Sequence, residues 1–108
     1  RLLVEIMKHA KVMVLGLTPV NETVMPFSDC LWYSNQSCAD YENQIEEACL
    51  ELDIPFLPTH EAMINQPNWS QCITSDGIHL NSKGHYWIYK RVSRWESLLK
   101  WAEIRHPD

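Results

Sequence analysis

Leu2, Leu3, Ile6, Met7 and Ala10 recur at steps of 1, 3, 1 and 3, a spacing that gathers them on one face of a helix. Lys11 then leads into Val-Met-Val-Leu-Gly-Leu17, where the apolar positions are continuous rather than alternating. Such a run predicts a strand covered on both faces, as in a parallel sheet. Thr18-Pro19 stops it, and from Val20 to Gln36 no period is sustained, which predicts a long loop. Ser37-Cys-Ala-Asp40 has the spacing of an N-cap serine with an acid three residues on. Ile45, Ala48, Cys49 and Leu52 follow at helical intervals, so a helix is expected to run to about Asp53. Pro55 ends it, and Ile54 to Leu57 reads as a short buried strand stopped by Pro58. A second loop is expected from about Thr59 to His79. Asn81 or Ser82 can then cap a last helix whose apolar positions, Ile88, Val92, Trp95, Leu99 and Ala102, step by 4, 3, 4 and 3.

Strands alternating with helices imply right-handed crossovers and a parallel sheet, hence an α/β class. Two strands alone would leave apolar faces bare and backbone groups unpaired at both edges. The expectation is therefore the C-terminal half of a larger α/β domain. The first residues, Arg1 to Met7, enter directly into an amphipathic pattern and read as the cut end of a helix.

Length and charge narrow the options. With 108 residues, 45% hydrophobic and 21% charged, the chain has room for one globular domain. Its longest apolar stretch, the 6 residues Val12 to Leu17, is far short of the roughly 20 needed for a membrane-spanning helix. Nine Lys and Arg against fourteen Asp and Glu give a net charge of -5, with no long basic patch, so nucleic acid and anionic lipid are poor partners. No signal peptide is visible, and the compartment stays open with the cytoplasm slightly favoured. Three N-x-[ST] triplets, at Asn21, Asn35 and Asn68, arise easily by chance and carry little weight. Cys30, Cys38, Cys49 and Cys72 contain no C-x-x-C pair and match neither a zinc nor a thioredoxin-like spacing, so ordinary reduced residues are expected.

The chemistry concentrates in Ser75-Asp-Gly-Ile-His-Leu-Asn81, between the second strand and the last helix. Asp76 and His79 stand three apart. In a turn eased by Gly77, that spacing brings a carboxylate within reach of an imidazole Nδ1. One ring nitrogen is then held, and the other points outward as a base. This is the orienting and proton-accepting portion of a Ser-His-Asp arrangement.

At these residues the chain resembles the SGNH or GDSL-type ester hydrolases, whose last block is Asp-x-x-His followed by Leu or Pro, Asn and a helix carrying a Gly. Here it reads Asp76-Gly-Ile-His79-Leu80-Asn81, then Gly84. Val12 to Asn21 resembles the strand and loop after the family's third block, and Tyr41 to Pro58 its penultimate helix and last strand. The resemblance implies the C-terminal part of a three-layer α/β/α, flavodoxin-like parallel-sheet domain. It also implies hydrolysis of a small-molecule ester or thioester through an acyl-enzyme, with Asp76 steadying His79 and no metal or organic cofactor. The family's nucleophile block, oxyanion glycine and Gly-x-Asn-Asp block have no counterpart here. None of the eight serines has the right context, Ser28-Asp29 included. The missing N-terminal part of the same domain is the partner expected to supply them, and the fragment alone is expected to be inactive.

Plainer readings stand beside these. Asp76 can cap backbone N–H groups while His79 is merely exposed. Trp69, on the loop before the motif, can line the substrate pocket or simply pack that loop. His60 and His85 are expected to be ordinary residues. Two rivals remain: a metal site built from Cys72, Asp76, His79 and His85, and a non-catalytic interaction fragment pairing through its sheet edge.

Overall fold

A computed structural model describes residues 2–105. Its elements run α1 (Leu2–Met7), β1 (Val14–Leu15), a 3-10 turn (Glu22–Val24), α2 (Asn35–Glu51), β2 (Phe56–Leu57), α3 (Thr59–Ile64), a second 3-10 turn (Trp69–Cys72), α4 (Ser82–Ser93) and α5 (Glu96–Arg105). The two strands pair in parallel, Val14 opposite Phe56 and Leu15 opposite Leu57, with α2 as the crossover. The class is α/β, as the sequence predicts.

Both strands are shorter than their apolar runs. Val14 N donates to Pro55 O at 3.0 Å and Gly16 N to Leu57 O at 2.8 Å, and there the ladder ends. Pro55 and Pro58 bracket β2 and have no N–H to extend it. α1 likewise stops at Met7 rather than Ala10, because Lys8 and His9 turn their N–H groups to carbonyls three residues back, Glu5 and Ile6.

Three further expectations are corrected. α2 begins at Asn35 on an N-cap at Ser34, not at Ser37, and Ser34 Oγ accepts from Ser37 N. Asp40, cast as the acid of a capping box, instead accepts from Gln36 Nε2 one turn back. The second loop contains α3 and the Trp69–Cys72 turn. The last helix is two helices, broken at Arg94 and Trp95. The Ser93 hydroxyl donates to Lys90 O, the carbonyl Arg94 N would use in a continuing helix, and Arg94 N turns to Arg91 O instead.

The core is small: Val20, Cys49, Ile54, Met63, Cys72 and Ile73 are buried, together with Pro19 and Thr59. The four cysteines are free thiols, Cys49 and Cys72 buried and Cys30 exposed. Leu2 is 72% exposed and Leu15, on β1, 42% exposed, so apolar faces of α1 and the sheet stay open. Among the described residues no helix is long and apolar enough to cross a membrane.

Candidate active site

Ile73 and Leu80 form an antiparallel bridge that closes a loop over residues 74–79. Thr74 N donates to His79 O at 2.8 Å and Asn81 N to Cys72 O at 2.9 Å, so both ends of the loop are pinned. Asn81 then caps α4, its Oδ1 accepting from Gly84 N at 3.0 Å while its Nδ2 donates to Gln71 O at 2.7 Å. Gly84 sits so close to the Cys72 carbonyl that a side chain there would collide with it. The sequence pattern that suggested a cap thus also locks the loop to the helix after it.

Within the loop Gly77 has φ +88, a left-handed conformation that favours glycine. The turn aims the Asp76 carboxylate back into its own backbone. Oδ1 accepts from Thr74 Oγ1 at 2.7 Å, Ile78 N at 2.9 Å and His79 N at 3.2 Å. Oδ2 meets His79 Nδ1 at 2.5 Å. The Ile78 N–H bond, then those of the Thr74 hydroxyl and the His79 ring, hold Asp76 well below the usual carboxylate range. Asp76 is therefore a fixed anion, and a fixed anion at Nδ1 sets the imidazole tautomer with its proton toward Asp76. The His79 side chain is 65% exposed, and among the described residues its Nε2 has no hydrogen-bond partner.

The β1–α2 loop leans on this turn. Asn21 N donates to Gly77 O at 2.8 Å, and the Phe27 ring stands edge-on to His79 with centroids 6.5 Å apart. Phe27 and Leu31 exchange backbone bonds of 2.7 and 3.0 Å around Ser28 and Asp29, both left-handed. Asn35 holds the loop's other end: its Oδ1 accepts from Val20 N and its Nδ2 donates to Val20 O, each at 2.9 Å. Sequence reasoning missed Phe27 and Asn21, because nothing local marks a contact with a turn some fifty residues further along, and Asn35, whose side-chain partners Val20 and His60 are also distant in sequence.

The remaining sequence candidates lie elsewhere. Trp69 is half-buried and lines a groove of about 350 Å³ between its 3-10 turn and α4, with Pro67, Gln71, Lys83, Tyr86 and Trp87, to which neither Asp76 nor His79 contributes. His60 is a buried residue of α3 whose Nε2 donates to Asn35 Oδ1 at 3.2 Å, and burial lowers its pKa against the opposing pull of Glu42. His85 is exposed on α4. The rival metal set of Cys72, Asp76, His79 and His85 is not brought together: among the described residues no three His, Cys, Asp or Glu side chains gather to hold an ion.

The sequence model of the GDSL-like Lipase/Acylhydrolase family matches residues 1–87, from α1 into the first half of α4. The chain belongs to that family. A GDSL esterase/lipase of Arabidopsis thaliana is 23% identical over 111 residues, which cover 94% of this chain and 36% of the relative. The chain thus spans about a third of that relative's length. No solved structure matches it significantly. The family match contains both Asp76 and His79, and with them the β1–α2 loop that packs on their turn.

Proposed function

We propose that this chain is the C-terminal portion of a single three-layer SGNH domain and supplies the Asp76–His79 pair of a serine ester hydrolase. One observation carries the reading: Asp76 Oδ2 engages His79 Nδ1 at 2.5 Å while Nε2 faces outward, unengaged among the described residues. The family membership and the open apolar faces at Leu2 and Leu15 support it.

In this reading a serine and its oxyanion donors come from the part of the domain that precedes the chain. His79 Nε2 accepts the serine proton as Oγ bonds to the ester carbonyl carbon, and the Asp76 carboxylate stabilises the imidazolium that forms. As the tetrahedral intermediate collapses, the C–O bond to the alcohol breaks and His79 returns the proton to the departing oxygen. A water molecule then repeats the sequence on the acyl-enzyme and releases the acid.

The test is hydrolysis of p-nitrophenyl acetate by the complete protein. His79→Ala is expected to lower kcat/KM by roughly 10^3-fold or more, and the 108-residue chain alone to show no turnover. An unimpaired His79→Ala variant removes His79 as the base. Turnover by the chain alone removes the claim that the nucleophile lies outside it.

A further inference from the structure

We infer that Asn35, the first residue of α2, is a positioning residue for the Asp76–His79 pair: its side-chain amide fixes the Val20–Asn21 backbone on which the Gly77 turn rests. The inference rests on the ester-hydrolase reading and adds to it a residue that touches neither member of the pair.

The ladder between β1 and β2 ends at Gly16, and at Val20 the Asn35 amide takes over. Its Oδ1 accepts from Val20 N and its Nδ2 donates to Val20 O, the pair of bonds that a residue on a neighbouring strand would make. Three contacts stiffen this clamp. Val20 is 6% exposed, so water competes poorly for its two backbone groups. His60 Nε2, 3.2 Å from Asn35 Oδ1, donates to the same oxygen, and an amide turned end for end would set donor against donor at both contacts. Asn35 N donates to Glu22 Oε2 at 2.7 Å, which ties the start of α2 to the 3-10 turn of the loop it clamps.

The next residue carries the clamp to the pair. Asn21 N donates to Gly77 O at 2.8 Å, and the Asn21 carbonyl lies 3.1 Å from where a Cβ on Gly77 would stand. Gly77 in turn separates Asp76 from Ile78 and His79, whose N–H groups hold Asp76 Oδ1. Val20 drawn away from α2 therefore takes Asn21 with it and removes the support under the turn that brings Asp76 Oδ2 to His79 Nδ1. Proton transfer depends steeply on such geometry: a misplacement of about 1 Å caused far from the reacting atoms can cost roughly 100-fold. Asn35 acts on the turn and not on the ester, so its loss belongs in kcat and not in KM.

The experiment measures kcat and KM on p-nitrophenyl acetate in the complete protein, at a temperature where each variant is folded. Asn35→Ala is expected to lower kcat about 10- to 100-fold and to change KM by less than about twofold. Ile54→Ala, which truncates a buried core residue outside the site, is expected to lower stability at least as much and to keep kcat. Gly77→Ala already pushes the loop off the turn, so in that background Asn35→Ala is expected to cost less than about threefold more. Asn35→Asp keeps an acceptor for Val20 N and places an acid in a first helical turn, where it is tolerated, but turns an oxygen that cannot donate toward Val20 O. It is expected to lower kcat by about threefold or more and serves in place of an Asn35→Ala that does not fold. Full kcat in either folded Asn35 variant, an equal loss in Ile54→Ala, or losses from Asn35→Ala and Gly77→Ala that multiply, overturns the role of Asn35 and leaves the hydrolase reading standing. No hydrolysis, or hydrolysis indifferent to His79→Ala, overturns both.

Discussion

The Glu42 carboxylate of α2 caps the N-terminus of α3: Oε1 accepts from His60 N at 2.9 Å and Oε2 from Glu61 N at 3.0 Å. Oε1 also accepts from Leu17 N at 2.9 Å, so a single side chain ties the exit of β1 to two helices. Glu42 is 3% exposed, and Gly16 leaves the space it occupies, since a Cβ there would collide with the carboxylate. Glu42→Ala strips three backbone donors of their acceptor in a place water reaches poorly. A loss of about 3 kcal/mol or more is expected, each unsatisfied donor costing roughly 1–3 kcal/mol. Urea unfolding of the complete protein reads it as a lower midpoint with an unchanged slope. Glu42→Gln keeps one acceptor oxygen and should fall between the two. A midpoint unmoved in Glu42→Ala would show that other acceptors serve these N–H groups.

The pH behaviour of Asp76 follows from its partners. Its pKa in the folded protein is depressed, chiefly by the Ile78 N–H, then by the Thr74 hydroxyl and His79. In the unfolded chain it titrates near 4. Between those values the unfolded state binds the proton and the folded state does not, so stability from this residue is complete above about pH 4 and is lost as the pH falls below it. Thermal melts from pH 6 down to pH 3 should therefore drop less steeply in Asp76→Asn than in the unmodified protein. The same variant presents an amide to His79 Nδ1 and no longer fixes the tautomer, so kcat/KM on p-nitrophenyl acetate should fall roughly 10^3- to 10^4-fold even at neutral pH. Melts with identical pH profiles would mean that Asp76 is not held as an anion by these bonds.

How much of this was legible in the sequence depends on whether the determinant was local. The parallel pairing of β1 with β2, the Asn81 cap and the Asp76–His79 pair all depend on residues within a few positions of one another, or on apolar runs long enough to show a period. The start of α2 was missed by three residues because one of its orphan N–H groups, Asn35 N, is satisfied by Glu22 Oε2 at 2.7 Å, thirteen residues upstream. α3 was missed altogether for the same reason, its capping carboxylate being Glu42, and at 6 residues it is too short to display a helical stripe. At α3 a distant acid does what a neighbouring Ser, Thr or Asp usually does, whereas at α2 Glu22 acts beside the local Ser34 cap. The break between α4 and α5 was hidden by the opposite effect. The apolar stripe runs on through Trp95 as though the helix were continuous, while Ser93 diverts the carbonyl that would have carried the ladder across.

Gly77 is constrained twice over. Its φ of +88 disfavours any L side chain, and a Cβ would run into Val24 Cγ2, with Met25 Cε and the Asn21 carbonyl also crowded. Gly77→Ala must therefore either twist the turn or push the β1–α2 loop away, breaking the Asn21 N to Gly77 O bond. A destabilisation of about 1–3 kcal/mol is expected, with a fall in kcat on p-nitrophenyl acetate larger than the stability loss explains, because Asp76 and the backbone N–H groups of Ile78 and His79 that orient it flank this residue. A variant that melts earlier yet turns over at the original rate would show that the loop and the pair are mechanically independent.

His60 offers a separate pH window on the same scaffold. Burial disfavours its charged form and lowers its pKa, with the Glu42 carboxylate opposing. Its Nε2 donates to Asn35 Oδ1, the oxygen that also accepts from Val20 N. In the unfolded chain the ring titrates near 6.5, so below that pH the unfolded state takes up a proton that the folded state resists. The contribution of this group is full above about pH 6.5 and declines as the pH falls through the folded value. His60→Gln, which can still donate to Asn35 but cannot titrate, should flatten the stability profile between pH 7 and pH 5 and leave the steeper loss below pH 4, which belongs to Asp76, in place. The measurement is a set of urea midpoints across that range for the complete protein and the two single variants. A His60→Gln profile that falls between pH 7 and pH 5 as steeply as the original would mean that His60 takes up its proton alike in the folded and unfolded chain, with Glu42 offsetting burial at this position.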